Sequence, residues 1–184
     1  MKRILFLALA LALLAGAPAA AAPVIEDVDG SLGVNLGWFQ IDDDVSSGLA
    51  SLDFDAALSF GLDYNWYVDE GTRAWKLAFL YTNPDATATG WSGDATLWQL
   101  SVNHLWYVSA MDAGPRKGWY LGAGLGYSKL DVDLSNAAGA TASDDDTSLD
   151  VNALAGYDFP CGATVGLQWI VDEGSLGLSA GYRF

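Results

Sequence analysis

The chemistry available to this chain is sparse, and it begins with one histidine. His104 is the only His in 184 residues. As a general base it would need a nucleophile within hydrogen-bond reach. The nearest hydroxyl in sequence is Ser101, and an offset of three along an alternating strand puts the two on opposite faces. His104 therefore reads as a structural residue, and no catalytic residue is assigned. Cys161 is the only cysteine. It sits in Phe159-Pro160-Cys161-Gly162, a tight-turn sequence, and one thiol allows neither an intrachain disulfide nor a cysteine metal cluster. Two aspartate runs, Asp42, Asp43, Asp44 and Asp144, Asp145, Asp146, offer the hard oxygen ligands that divalent cations take. Neither has EF-hand spacing. They are expected to be solvated loop surface with, at most, loosely bound divalent cations and no tight cofactor.

The elements that position these residues are strands. From 52 to 66 every even position is apolar, from Leu52 and Phe54 through Leu58, Phe60 and Leu62 to Tyr64 and Trp66. Period-two alternation of this length is a β signal. It recurs in Leu32–Trp38, Trp75–Tyr81, Trp98–Trp106, Trp119–Tyr127, Leu149–Phe159, Ala163–Trp169 and Leu176–Phe184. The expectation is eight strands, joined alternately by short turns (67–72, 160–162) and longer Asp-rich loops (41–51, 83–95, 131–147). The connection at 171–174 is short where a long one is expected.

The N-terminus reads as an export signal. Lys2 and Arg3 precede the apolar run Ile4–Ala15, and small residues follow to Ala22, the three-part layout of a secretory signal peptide. Residues 1–21 are expected to be removed, leaving 22–184 as one domain. The apolar run is shorter than the ~20 residues of a spanning helix. Net charge is −15 with 8 basic and 23 acidic residues; losing Lys2 and Arg3 leaves 6 − 23 = −17. Such a chain is repelled by phosphates, which argues against nucleic-acid binding.

Eight alternating strands fit two barrels of opposite polarity: a soluble lipocalin-like carrier, apolar inside, or a membrane barrel, apolar outside. Four features favour the second. The non-apolar face is rich in glycine, which suits a narrow barrel interior. Trp66, Trp75, Trp106, Trp119, Phe159, Tyr182 and Phe184 fall at one set of strand ends, and Trp38, Phe54, Tyr81, Trp98, Tyr127 and Trp169 at the other, as two interfacial girdles would. The longer loops are acidic throughout, whereas Arg73, Arg116 and Lys117 accompany the short turns. The chain ends Gly181-Tyr182-Arg183-Phe184, with apolar residues at every second position.

That ending resembles the C-terminal signature of outer-membrane barrels, and the mature chain as a pattern resembles small proteins of the kind typified by the OmpA barrel domain, OmpX and OmpW. The resemblance implies an all-β, eight-stranded antiparallel up-and-down transmembrane β-barrel in a bacterial outer membrane. It also implies that Tyr182 and Phe184 serve as an assembly signal read by the barrel-assembly machinery. In this orientation Asp53, Asp55, Asp63, Lys76, Asp150, Asp158 and Arg183 point inward as a lumenal polar network, with Lys76 and Arg183 pairing some of the acids. The expected partners are outer-membrane lipid and lipopolysaccharide, the latter bridged by divalent cations to the acidic loops, with no nucleic acid and a monomeric barrel. The leading function is non-enzymatic, structural or surface-interacting. An OmpW-like narrow channel for small or apolar molecules and the soluble carrier are the alternatives.

Overall fold

The computed structural model describes residues 30–42, 52–108, 117–172 and 174–184. Expectations about the signal peptide and its cleavage, and about Asp43 and Asp44, lie outside these residues. Among the described residues there are ten strands: β1 (Gly30–Gln40), β2 (Asp53–Phe54), β3 (Ala57–Val68), β4 (Arg73–Thr82), β5 (Asp85–Ala88), β6 (Trp91–Tyr107), β7 (Gly118–Asn136), β8 (Thr141–Asp158), β9 (Ala163–Ile170) and β10 (Leu176–Arg183). Eight of them close a barrel, each antiparallel to its neighbour, in the cyclic order β1, β3, β4, β6, β7, β8, β9, β10. The first strand meets the last, Gly33 opposite Arg183 through Gln40 opposite Leu176. Closure leaves every strand of the belt paired on both sides, the condition for crossing hydrocarbon.

Polarity follows the membrane arrangement. Leu36, Leu62, Leu100, Val102, Leu121, Leu125 and Leu178 are exposed on the outer wall, between rings of exposed aromatics such as Trp66, Trp75, Trp106 and Trp119 at one end and Tyr81, Tyr127 and Trp169 at the other. Inside lie Asp63, Asn65, Gln99, Asn103, Asp150 and Asn152, all buried. Short turns and both described termini share one end, the periplasmic end of such barrels, and the longer connections share the other.

Three expectations are corrected at that outer end. The stretch 52–66 is not one strand. The chain breaks at Asp55–Ala56, where it passes from β2, paired with β5, to β3, paired with β4; the Asp55 N–H donates to Asp85 O. The one-residue step reverses the faces. Leu52 and Phe54 are buried, so Phe54 is no girdle residue, and Asp53 and Asp55 are exposed instead of lumenal. Second, most of 83–95 and 131–147 is strand, not loop. β5 and β6 form a hairpin, and β7 and β8 pair from Gly118 opposite Asp158 up to Ser135 opposite Thr141. Third, Asp144, Asp145 and Asp146 consequently lie within β8. Above the belt the outside is water, so apolar residues turn inward and hairpins that would be loops on hydropathy alone continue as sheet.

Candidate functional site

The interior is stacked in three layers. At the outer end Phe39, Ile41, Leu52, Phe54, Leu97, Leu130, Val132 and Ile170 form a buried apolar cluster contributed by five strands and the rims beside them. Around and above it β2, β5 and the outer parts of β6, β7 and β8 form a crown that rises past the membrane belt. Polar side chains fix the rim: Gln40 Nε2 donates to the carbonyls of Phe54 (2.9 Å) and Ile41 (3.0 Å), and Asn83 Nδ2 donates to that of Ala95 (2.9 Å). At the periplasmic end Leu105, Tyr107, Tyr120 and Leu154 pack together, with Tyr67 against them. The Tyr107 ring stands 6.2 Å from Tyr67 and 5.8 Å from Tyr120.

Between these layers runs an ionic network. Arg183 Nη1 donates to Asp158 Oδ2 at 2.9 Å, and Tyr107 OH donates to the same oxygen at 2.6 Å. Arg183 Nη2 lies 3.8 Å from Asp63 Oδ1, while Lys76 Nζ is 3.4 Å from Asp63 Oδ2, which also accepts from Asn35 Nδ2. Six strands, β1, β3, β4, β6, β8 and β10, are thereby tied through one cluster of side chains. Glycine makes the crossing possible. A Cβ at Gly33 would come within 2.7 Å of Asp63 Oδ1, so the bare backbone of β1 is what lets that carboxylate lie beneath it toward Arg183. Beside the network is a cavity of about 50 Å³, lined among others by Asn35, Ser59, Asp63, Lys76, Ser101 and Gln168. It has room for a few waters, not for a solute stream.

Of the seven sequence-predicted lumenal residues, Asp63, Lys76, Asp158 and Arg183 come together in this network. Asp150 lies apart with Gln99 and Ser148, and Asp53 and Asp55 are on the exterior. Tyr107, Tyr120 and Asn35, which sequence reasoning left out, complete the site. Tyr107 and Tyr120 have the right parity for the lumen, opposite to their neighbours Trp106 and Trp119.

The candidate cation ligands do not converge. Successive strand residues point to opposite faces, so Asp145 is directed away from Asp144 and Asp146. Asp42 is on the rim, where its N–H meets Ser175 Oγ at 3.3 Å. Among the described residues no group of three His, Cys, Asp or Glu is placed to hold a metal. On the crown's outer face the register sets Asp85 opposite Asp94 and Asp94 opposite Asp133. Like charges directly opposed across strands cost roughly 0.2–1 kcal/mol per pair. Asp94→Asn should therefore raise the unfolding midpoint in low salt, and the gain should fade as salt is added; a loss of stability at low salt would refute the repulsion. Lys129 is the one basic residue described in the crown. Its hydrogen bond to Asp131, with Asp145 3.9 Å away, holds its ammonium pKa above the ordinary value.

His104 lies on the outer wall, its ring 4.6 Å from that of Trp75 and 4.6 Å from that of Trp106. Ser101 is buried in the lumen, accepting from Asn103 Nδ2 at 2.9 Å. The barrel wall separates the two. Tyr182 and Phe184 stack edge to face at 5.1 Å on the outside of the closing seam.

Comparison with known proteins agrees with this architecture. Ail, the attachment invasion locus protein of Yersinia pestis, solved with the heparin analogue sucrose octasulfate, superposes with a TM-score of 0.59 at 18% identity, covering 85% of this chain and 100% of that one. Neisserial surface protein A gives 0.53 at 16% identity over 85% and 96%. These likenesses are of fold. No curated protein sequence matches the chain. The family profile described as outer membrane protein beta-barrel domain matches residues 7–184, and with the closed, outward-apolar barrel it establishes that this chain is a bacterial outer-membrane protein belonging to that β-barrel family.

Proposed function

We propose that the protein is a non-enzymatic surface-interaction barrel whose working part is the folded crown. One observation carries the reading: the lumen is filled above by the Phe39–Leu97–Val132 cluster and below by the Tyr107–Tyr120 layer, while β6, β7 and β8 continue well past the belt. From Tyr127 in the girdle, β7 runs nine more residues to Asn136, about 30 Å along the strand at ~3.3 Å per residue. A rigid sheet held that far out suits contact, not conduction. The separation of His104 from Ser101 likewise supports a non-enzymatic role.

The crown's charge selects the partner. Ail holds a polyanion, the heparin analogue of its complex. Here Asp85, Asp94, Asp131, Asp133 and Asp145 surround a single Lys129, so a polyanion would be repelled. Cationic surfaces are favoured, as is lipopolysaccharide where divalent cations bridge it to the carboxylates. Export through residues 1–21, docking of Tyr182 and Phe184 on the barrel-assembly machinery and a monomeric barrel in lipid complete the proposal.

The channel alternative is separable by experiment. In planar bilayers the purified protein should show no single-channel current at any voltage, and sucrose octasulfate should not bind at physiological salt. Stepwise conductance would reinstate the narrow transporter, and saturable binding of the polyanion would overturn the charge argument.

A further inference from the structure

The lumen contains one buried carboxylate that its ionic network leaves unbalanced. Asp63 and Asp158 answer Lys76 and Arg183, two acids to two bases. Asp150 stands outside that set: it is 0% exposed, and among the described residues no Lys or Arg forms an ion pair with it. Among the described residues the side chains that hydrogen-bond it are neutral. Gln99 Nε2 donates to Asp150 Oδ2 at 2.8 Å, and the Ser148 hydroxyl donates to Oδ1. Ser128 Oγ is 2.8 Å from Ser148 Oγ. Asn152 Oδ1 accepts from Gln99 at 3.3 Å and from Gln168 at 3.4 Å, and Gln168 also donates to Gln99 Oε1 at 2.7 Å.

Two facts show that this cluster does not satisfy itself. Neutral dipoles stabilise a buried carboxylate but do not cancel its charge, and an uncancelled buried charge is expensive. Asn152 is also 0% exposed, and its Nδ2 has no hydrogen-bond partner.

We propose that Asp150, with Ser128 and Ser148, binds one monovalent hard cation, Na⁺ or K⁺, inside the barrel. The valence follows from the charge count. One positive charge neutralises Asp150, whereas a divalent ion would leave a net positive charge buried in a lumen whose other charges already balance.

The test is chemical unfolding of the refolded full-length barrel in zwitterionic micelles, with NaCl or KCl exchanged for choline chloride at constant ionic strength. Choline supplies the same screening but is too large for the site. For the unaltered protein the unfolding equilibrium constant should fall about tenfold when the alkali cation reaches ten times its dissociation constant, and by about a further tenfold for each further decade of concentration. Asp150→Asn should show no difference between Na⁺ and choline, and in choline it should be at least as stable as the parent. Should that variant fail to fold, Ser148→Ala keeps the carboxylate and removes one oxygen; it should move the response to higher cation concentration. Equal behaviour of the parent in Na⁺, K⁺ and choline would overturn the proposal, as would an undiminished Na⁺ response in Asp150→Asn, an unmoved response in Ser148→Ala, or a response confined to Ca²⁺ or Mg²⁺.

Discussion

Arg183→Ala should destabilise the barrel by about 3–5 kcal/mol, the usual cost of removing one partner from a buried charge pair. The guanidinium is 9% exposed as a residue and serves two carboxylates, Asp158 at 2.9 Å and Asp63 at 3.8 Å. Its loss leaves Asp158 with only Tyr107 and leaves Asp63 dependent on Lys76 and Asn35. Because Arg183 is on β10, which seals the barrel against β1, the defect should appear at closure, as a lower urea midpoint for the compact, heat-modifiable form on unheated gels. Adding Asp158→Asn to Arg183→Ala should recover part of the loss, since the orphaned charge is then gone. A change below about 1 kcal/mol, the scale of an exposed ion pair, would mean that the network does not stabilise the fold.

Val102→Arg should be comparably damaging for an unrelated reason. Val102 is 49% exposed on the outer wall, midway along β6 between Trp98 and Trp106. Arginine on the lipid face near the bilayer midplane costs about 2–4 kcal/mol. The same change at Thr147, on the outer face of the crown, should cost no more than the roughly 0.2–1 kcal/mol of a like charge facing Lys129 across the strands, because that side chain stands in water. Folding into vesicles, followed by fluorescence of the girdle tryptophans, reads both variants. If Val102→Arg folded as well as Thr147→Arg, the outer wall would not be facing hydrocarbon.

The eight barrel strands were legible because one face of each meets lipid, and a period of two in hydropathy reports that directly. The crown was not, because the rule reverses above the belt. On β1 the outward Trp38 gives way to the inward Phe39 and Ile41; on β7 the outward Leu121, Leu125 and Tyr127 give way to the inward Leu130, Val132 and Leu134. The switch in parity near Ser128 was visible in the sequence, and reading it as a change of solvent would have extended the strand to Asn136. At 52–66 no such clue existed. The one-residue slip at Asp55–Ala56 and the reversal of faces cancel, so even positions stay apolar through a change of partner, and Asp53 and Asp55 were assigned inward as a result.

The site was legible in part. Lumenal parity selects Asp63, Lys76, Asp158 and Arg183 from single strands, but which of them meet depends on register and on reach across the lumen. Arg183 and Asp158 lie on β10 and β8 with β9 between them, and no local pattern links the two positions. The isolation of Asp150 was hidden for the same reason, since it follows from where the two bases point.

The β7–β8 hairpin outgrows its neighbour on one side. β9 first pairs with β8 at Asn152, opposite Ile170; the Asp172 carboxylate caps the next backbone N–H, that of Val151, at 2.7 Å. Among the described residues the margin from Thr141 to Asp150 has a ladder partner only in β7. Such a margin invites a second molecule to add its own strand, and proteins confined to one membrane plane meet one another constantly. Three consecutive aspartates lie on that margin, so two copies approaching edge to edge would bring six carboxylates together. The acidity on which the proposed choice of partner rests would also oppose the zipping of copies into clusters; lateral clustering should rise with salt in the parent and become salt-insensitive once those three residues are neutralised.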